Sequence, residues 1–183
     1  MNRLSLVDLS TAQGTAKTLL DAVQANFGFT PNMFRMLAQS PAALEAVLNY
    51  NRALGKGALR PKIREQIALV VAESNGCDYC ASAHSVLGKK VGLSDADIAD
   101  AREGHASDPK SDAAVRFAAL LVKNCGHVSD IDFARLRGAG FSDGEIAEIV
   151  GHVAINILTS YFNNAMETEI DFPVVRTHGA PVA

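Results

Sequence analysis

The chain contains no tryptophan, and only 6% of its 183 residues are aromatic. With so few large flat side chains, close-packed helices suit this composition better than sheets. It also lacks charge of one sign in excess: 17 basic residues face 20 acidic ones, a formal net charge of -3. No basic run is present, so nothing recommends nucleic acid or an anionic membrane as a partner. No apolar run approaches the roughly 20 residues that cross a bilayer. The opening Met1-Asn2-Arg3-Leu4-Ser5-Leu6-Val7-Asp8 has an acid where a signal peptide requires an unbroken apolar stretch. The expected location is therefore the cytoplasm. Cysteine is scarce too, with three in all. In a reducing compartment a close pair of them reads as catalytic or metal-binding rather than as a permanent staple.

What the chain does have is helix punctuation. Thr30-Pro31 and Ser40-Pro41 each set a capping side chain before a proline suited to a first helical turn. Ala42 to Leu54 carries Leu44, Val47, Leu48 and Leu54 on helical spacing and stops at Gly55 and Gly57. Arg60-Pro61 opens a helix bearing Ile63, Ile67, Val70 and Val71, which Asn75-Gly76 interrupts. A further helix is expected from about Cys77 to Val91, stopped by Gly92. Ser94 with Asp97, Asp108-Pro109 and Ser142 with Glu145 mark three more starts, the last helix running to about Glu167. No alternating strand pattern is visible, so the expected fold class is all-α. A faint internal repeat sets the series Gly92 to Asp100 beside Gly140 to Glu148. Similar caps explain part of that likeness; the ordered match favours a duplicated helical unit.

Two of the three cysteines fall in Cys77-Asp78-Tyr79-Cys80-Ala81-Ser82-Ala83-His84. Thiols three positions apart can close a disulfide across one turn, and a histidine four further on shares their helix face. Gly76 frees the backbone for a sharp entry, and a first-turn thiol feels the positive end of the helix dipole. On the residues alone that position favours Cys77. His84, one turn beyond Cys80, can take its proton as in activated nucleophiles.

Two other readings stand beside this redox pair. The cysteines can be inert core thiols, or Cys77, Cys80, His84 and a carboxylate can hold zinc. No second CxxC or paired histidines follow at zinc-finger spacing, and thioredoxin-like chemistry would need a βαβ pattern that is missing. Glu65, 12 residues before Cys77, reads either as a first-turn acid after Pro61 or as a carboxylate folded back against the thiols. Glu73 reads as a solvated acid, Tyr79 as a packed aromatic or hydrogen-bond donor, and Cys125 as a core thiol. His152, amid Ile149, Val153 and Ile157, reads as a satisfied core histidine before it reads as lining of a site.

The stretch Arg64-Glu65 through Asn75-Gly76-Cys77-Asp78-Tyr79-Cys80-Ala81-Ser82-Ala83-His84, followed by Gly88 and Gly92-Leu93-Ser94, resembles the alkylhydroperoxidase D-like (AhpD-like) group of the carboxymuconolactone decarboxylase superfamily. The strongest likeness covers about residues 45–105, and the ending Ile170-Asp171-Phe172-Pro173 resembles the peroxidase-related branch. The resemblance implies a single all-α domain over 1–183 with its core at about 45–170, assembled as a homo-oligomer (dimer, trimer or hexamer). It implies reduction of a hydroperoxide substrate by the dithiol, with no cofactor and no metal. Electrons would come from a dithiol donor, a lipoyl or thioredoxin-like protein. By the same resemblance Cys80 attacks the peroxide and becomes a sulfenic acid, Cys77 supplies a proton and then resolves it as a disulfide, and His84 with Glu65 forms a proton relay. One position departs from that group, which carries a histidine where this chain has Tyr79. The decarboxylase branch lacks the cysteine pair, which argues against lactone decarboxylation.

Overall fold

The computed structural model describes residues 2–178, which form nine helices and, among the described residues, no strand. In chain order these are α1 (Gly14–Phe27), α2 (Asn32–Leu37), α3 (Pro41–Leu54), α4 (Pro61–Ser74) and α5 (Asp78–Lys90). They are followed by α6 (Asp95–Arg102), α7 (Pro109–Lys123), α8 (Asp130–Gly138) and α9 (Asp143–Met166). The all-α expectation holds. Most starts use the signals in the sequence: prolines open α3, α4 and α7, and Ser94 and Ser142 close capping boxes on Asp97 and Glu145.

Two helices carry weaker signals, and the sequence did not announce them. The N-cap of α1, Gln13, makes no side-chain capping bond; α8 buries only Leu136, although Ser129 and Asp132 close a capping box at its start. Thr30-Pro31 is also used differently from expectation. Pro31 is itself the N-cap of α2, and Thr30 Oγ1 donates to Gln24 Oε1 at 2.9 Å. The α2 N-terminus is instead capped from far away, with the Asn32 N–H donating to Asp171 Oδ2 at 2.7 Å.

Helix α4 is the central element, packed on α5, α6, α7 and α9. One side of it joins Ile67 and Val70 to Phe117 of α7, Leu136 of α8 and Ile149 of α9. A second cluster sets Leu20 and Val23 of α1 against Phe34, Leu44, Val47 and Ile155. Each such side chain taken out of water contributes about 1.5–3 kcal/mol. The 24 residues of α9 reach both clusters, so its inner face runs past the middle of the molecule.

After α9 the chain turns at Glu167 (φ 50) and returns across α5. Ile170, Phe172 and Val175 pack on Ala72, Cys77, Tyr79, Cys80 and Ala81. The Val175 N–H donates to Ser82 Oγ at 2.9 Å, and Thr177 donates twice to Asp78 Oδ1 at 2.8 Å. Arg176 pairs with the same carboxylate at 2.7 Å.

The internal repeat survives as two similar helix entries. Gly92 and Gly140 adopt left-handed φ of 87° and 82°, each followed by a buried Leu93 or Phe141 and a capping serine. Beyond the caps the likeness ends, because α6 has 8 residues and α9 has 24. Cys125 is not a core thiol. It lies past the end of α7 in a left-handed turn (φ 51) and is exposed.

Candidate active site

Gly76, at φ 58, makes the sharp turn that folds α5 against α4, and the Cys77 N–H then donates to Ala72 O at 2.9 Å. Cys77 is the N-cap of α5, its Sγ accepting the Cys80 N–H at 3.2 Å. The two sulfurs are within disulfide distance, on Cα atoms 5.3 Å apart, inside the span a disulfide requires. Cys77 is wholly buried at 0% exposure, whereas Cys80, at 5%, borders a cavity of about 680 Å³. Position in the first turn gives both thiols the helix dipole. Only one of them faces space in which a substrate fits.

The Cys80 sulfur is held by α9. Asn163 Nδ2 donates to it at 3.4 Å and Ser160 Oγ at 3.5 Å. Both side chains are buried, and two donors aimed at one sulfur stabilise negative charge on it. Sequence reasoning missed this pair. The signal was present as the polar series Asn156, Thr159, Ser160 and Asn163, three and four residues apart in an otherwise apolar helix.

Glu65 and His84 come together across α4 and α5, with Glu65 Oε2 2.8 Å from His84 Nδ1 and each side chain 20% exposed. Both border the same cavity as Cys80. Glu65 is the fifth residue of α4, so it lies beyond the first turn and is no cap of that helix. His84 Nε2 has no hydrogen-bond partner among the described residues, and His84 makes no direct bond to Cys80 Sγ. A proton passing between them therefore needs a water or a substrate oxygen in the cavity.

Tyr79 points away from proton transfer. Its hydroxyl donates to Asp171 Oδ1 at 2.9 Å and accepts the Met33 N–H at 3.2 Å, and its ring meets Phe172 edge-on. Burial first, and then the Asp171 charge, raise its ionisation well beyond the ordinary phenol range. It joins α5, α2 and the returning segment. Glu73 is likewise no solvated acid: Arg102 pairs with it at 2.7 Å, both side chains being largely covered where α6 packs on α4.

Apolar side chains from several helices complete the cavity: Leu19, Val23 and Phe27 of α1, Phe34 of α2, Leu48 of α3 and Leu87 of α5. Its volume falls within the range of small-molecule sites. His152 does not border it. That residue is buried, at 8% exposure, with Nε2 unpartnered, so it is a core histidine but not a satisfied one. Among the described residues, no three His, Cys, Asp or Glu side chains converge in a way that could hold a metal ion. No helix among them is long and apolar enough to cross a membrane.

Residues 41–123 match the carboxymuconolactone decarboxylase family. No curated protein matches the sequence. Among solved structures, the AhpD core of an uncharacterized peroxidase-related protein from Ralstonia eutropha JMP134 superposes with a TM-score of 0.85 at 26% identity, over 93% of this chain and 92% of that one. A peroxidase-related protein from Silicibacter sp. TM1040 gives 0.78 at 22% identity, over 92% and 94% of the two chains. The debrominase Bmp8 gives 0.79 at 22%, over 92% and 91%; these two show the fold alone. Taken with the dithiol helix and its all-α surroundings, these likenesses place the family match on residues 41–123 and make the chain similar to the AhpD-like group of the carboxymuconolactone decarboxylase superfamily.

Proposed function

We propose that the chain is a cytoplasmic dithiol peroxidase that reduces organic hydroperoxides. The observation that carries the reading is that Cys80 alone of the pair borders the cavity, its sulfur held by two donors and the Glu65–His84 pair on the same wall. The Cys80 thiolate attacks the terminal oxygen of the hydroperoxide, forming S–O as O–O breaks. The departing alkoxide takes a proton by way of His84, which Glu65 orients. Cys77, one turn away, then attacks the sulfenic sulfur; S–S forms and the hydroxyl leaves as water. A dithiol donor, lipoyl or thioredoxin-like, restores both thiols by exchange. The peroxidase-related name of the Ralstonia protein supports the same class of reaction.

The test is a thiol count by mass spectrometry on the reduced protein, before and after one equivalent of cumene hydroperoxide and again after dihydrolipoamide. The expected result is loss of two thiols as a Cys77–Cys80 disulfide and their full return. Two unreactive thiols would end the reading. A non-catalytic redox sensor is favoured by one feature, the closure of Ile170, Phe172 and Val175 over the pair. It predicts a single slow oxidation and no turnover with any reductant.

Assembly with further copies of the chain belongs to the same proposal. On the outer face of α9, Ala147, Val150, Ala154, Leu158 and Tyr161 are exposed and form an apolar stripe without a charge. Sedimentation is expected to give a dimer or larger species, and Tyr161→Asp is expected to dissociate it. A wild-type monomer at every concentration would rule the stripe out as an interface.

A further inference from the structure

Asn163 presents two hydrogen-bonding groups on one amide, and the chain uses only one of them. Nδ2 lies 3.4 Å from Cys80 Sγ and 3.3 Å from Met33 Sδ. Oδ1 is buried and has no hydrogen-bond partner. The orientation of the amide follows from its neighbours. A thioether and a thiolate both accept, so the NH₂ group belongs on the two sulfurs and the carbonyl oxygen points elsewhere. The residue is 3% exposed and borders the cavity. A buried carbonyl oxygen left unpaired is costly and needs an explanation, and a ligand that donates a hydrogen bond supplies one.

We propose that Asn163 Oδ1 receives the O–H of the substrate hydroperoxide, so that one amide aligns both the nucleophile and the oxygen it attacks. The inference rests on Cys80 being the attacking sulfur. The protonated terminal oxygen sits between Oδ1 and Sγ. S–O bond formation and O–O cleavage move one electron pair from sulfur to the departing RO⁻, which is protonated by way of His84. The sulfenic acid that remains keeps its O–H on Asn163 until Cys77 displaces it. The cavity beyond is far larger than the head group and walled by Leu19, Val23, Phe27 and Leu87. The substrate class is therefore a neutral hydroperoxide head on a bulky apolar body, alkyl or aryl.

The experiment compares two reagents on full-length protein in which Cys77→Ser and Cys125→Ser leave Cys80 as the only thiol. Cumene hydroperoxide offers an O–H; methyl methanethiosulfonate offers no hydrogen-bond donor. Rates are normalised to the thiolate fraction measured by ultraviolet absorbance. Asn163→Leu is expected to slow the hydroperoxide about thirtyfold while the thiosulfonate changes by about threefold or less, the size of effect expected for one buried hydrogen bond in an attack geometry. Asn163→Asp keeps an acceptor oxygen in place, and per thiolate it is expected to restore most of the hydroperoxide rate. Asn163→Ala serves as a second removal if the leucine variant does not fold. Equal slowing of both reagents, or no change in either, would overturn the role of Asn163 and leave the peroxidase reading standing. A wild-type Cys80 that reacts with the thiosulfonate but ignores the hydroperoxide would overturn both.

Discussion

Replacing Cys80 with serine is expected to abolish hydroperoxide reduction, with turnover falling by about a thousandfold or more. An alcohol in that place is neither ionised nor nucleophilic enough to open an O–O bond, and the Asn163 and Ser160 donors then face a neutral oxygen. Cys77→Ser should behave differently. The serine keeps an acceptor at the N-cap of α5, so the helix start survives, and Cys80 still opens one peroxide bond per chain. The product stays at the sulfenic acid, because no second sulfur lies one turn away to displace the hydroxyl. Stopped-flow oxidation followed by trapping with dimedone separates the two variants: a sulfenic adduct at Cys80 in Cys77→Ser, and none at Cys77 in Cys80→Ser. Full turnover in Cys80→Ser, or a dimedone adduct at Cys77, would reverse the order of attack. The exposed Cys125 is best removed first, since it alone can pair between chains.

The second large effect is acid destabilisation centred on His152. Burial, and then the nearby charge of Arg64, hold its pKa down to about 4 from an ordinary 6.5, while Glu148 and Glu65 pull weakly the other way. Between those values the unfolded chain binds a proton that the folded chain refuses. The unfolded state therefore takes up more protons, and stability falls as pH falls through the window. At about 1.36 kcal/mol per unit the full loss approaches about 3 kcal/mol. Urea midpoints at about pH 7 and about pH 4 measure it, and His152→Gln should remove most of the slope. If the variant keeps the wild-type slope, His152 contributes nothing and the acid response lies in the carboxylates.

Much of this architecture was legible because its signals are local. Pro41, Pro61 and Pro109 open helices, serines cap them, and Cys77, Cys80 and His84 share one face of a single helix. A local pattern needs no partner to be seen. Glu65 was harder, since nothing in its own helix separates a dipole acid from one that crosses to His84; only the turn at Gly76 brings the two helices together. The Cys80 donors were harder still. Asn163 and Ser160 lie about eighty residues further along the chain, and polar residues within an apolar helix announce burial without naming what they touch. Tyr79 is the instructive case. It sits inside the dithiol motif, yet its hydroxyl is engaged by Asp171 and Met33, residues that no motif around it includes.

The segment that returns across α5 bears on the order in which the site is made. Ser82 meets Val175, and Asp78 meets Thr177, over sequence separations of 93 and 99 residues. During synthesis the dithiol helix emerges long before the residues that cover it. A nascent chain with α4 and α5 already folded still exposes Cys77 and leaves Asp78 without Arg176 and Thr177. The thiol that ends wholly buried at the start of α5 is made before the segment that packs on it.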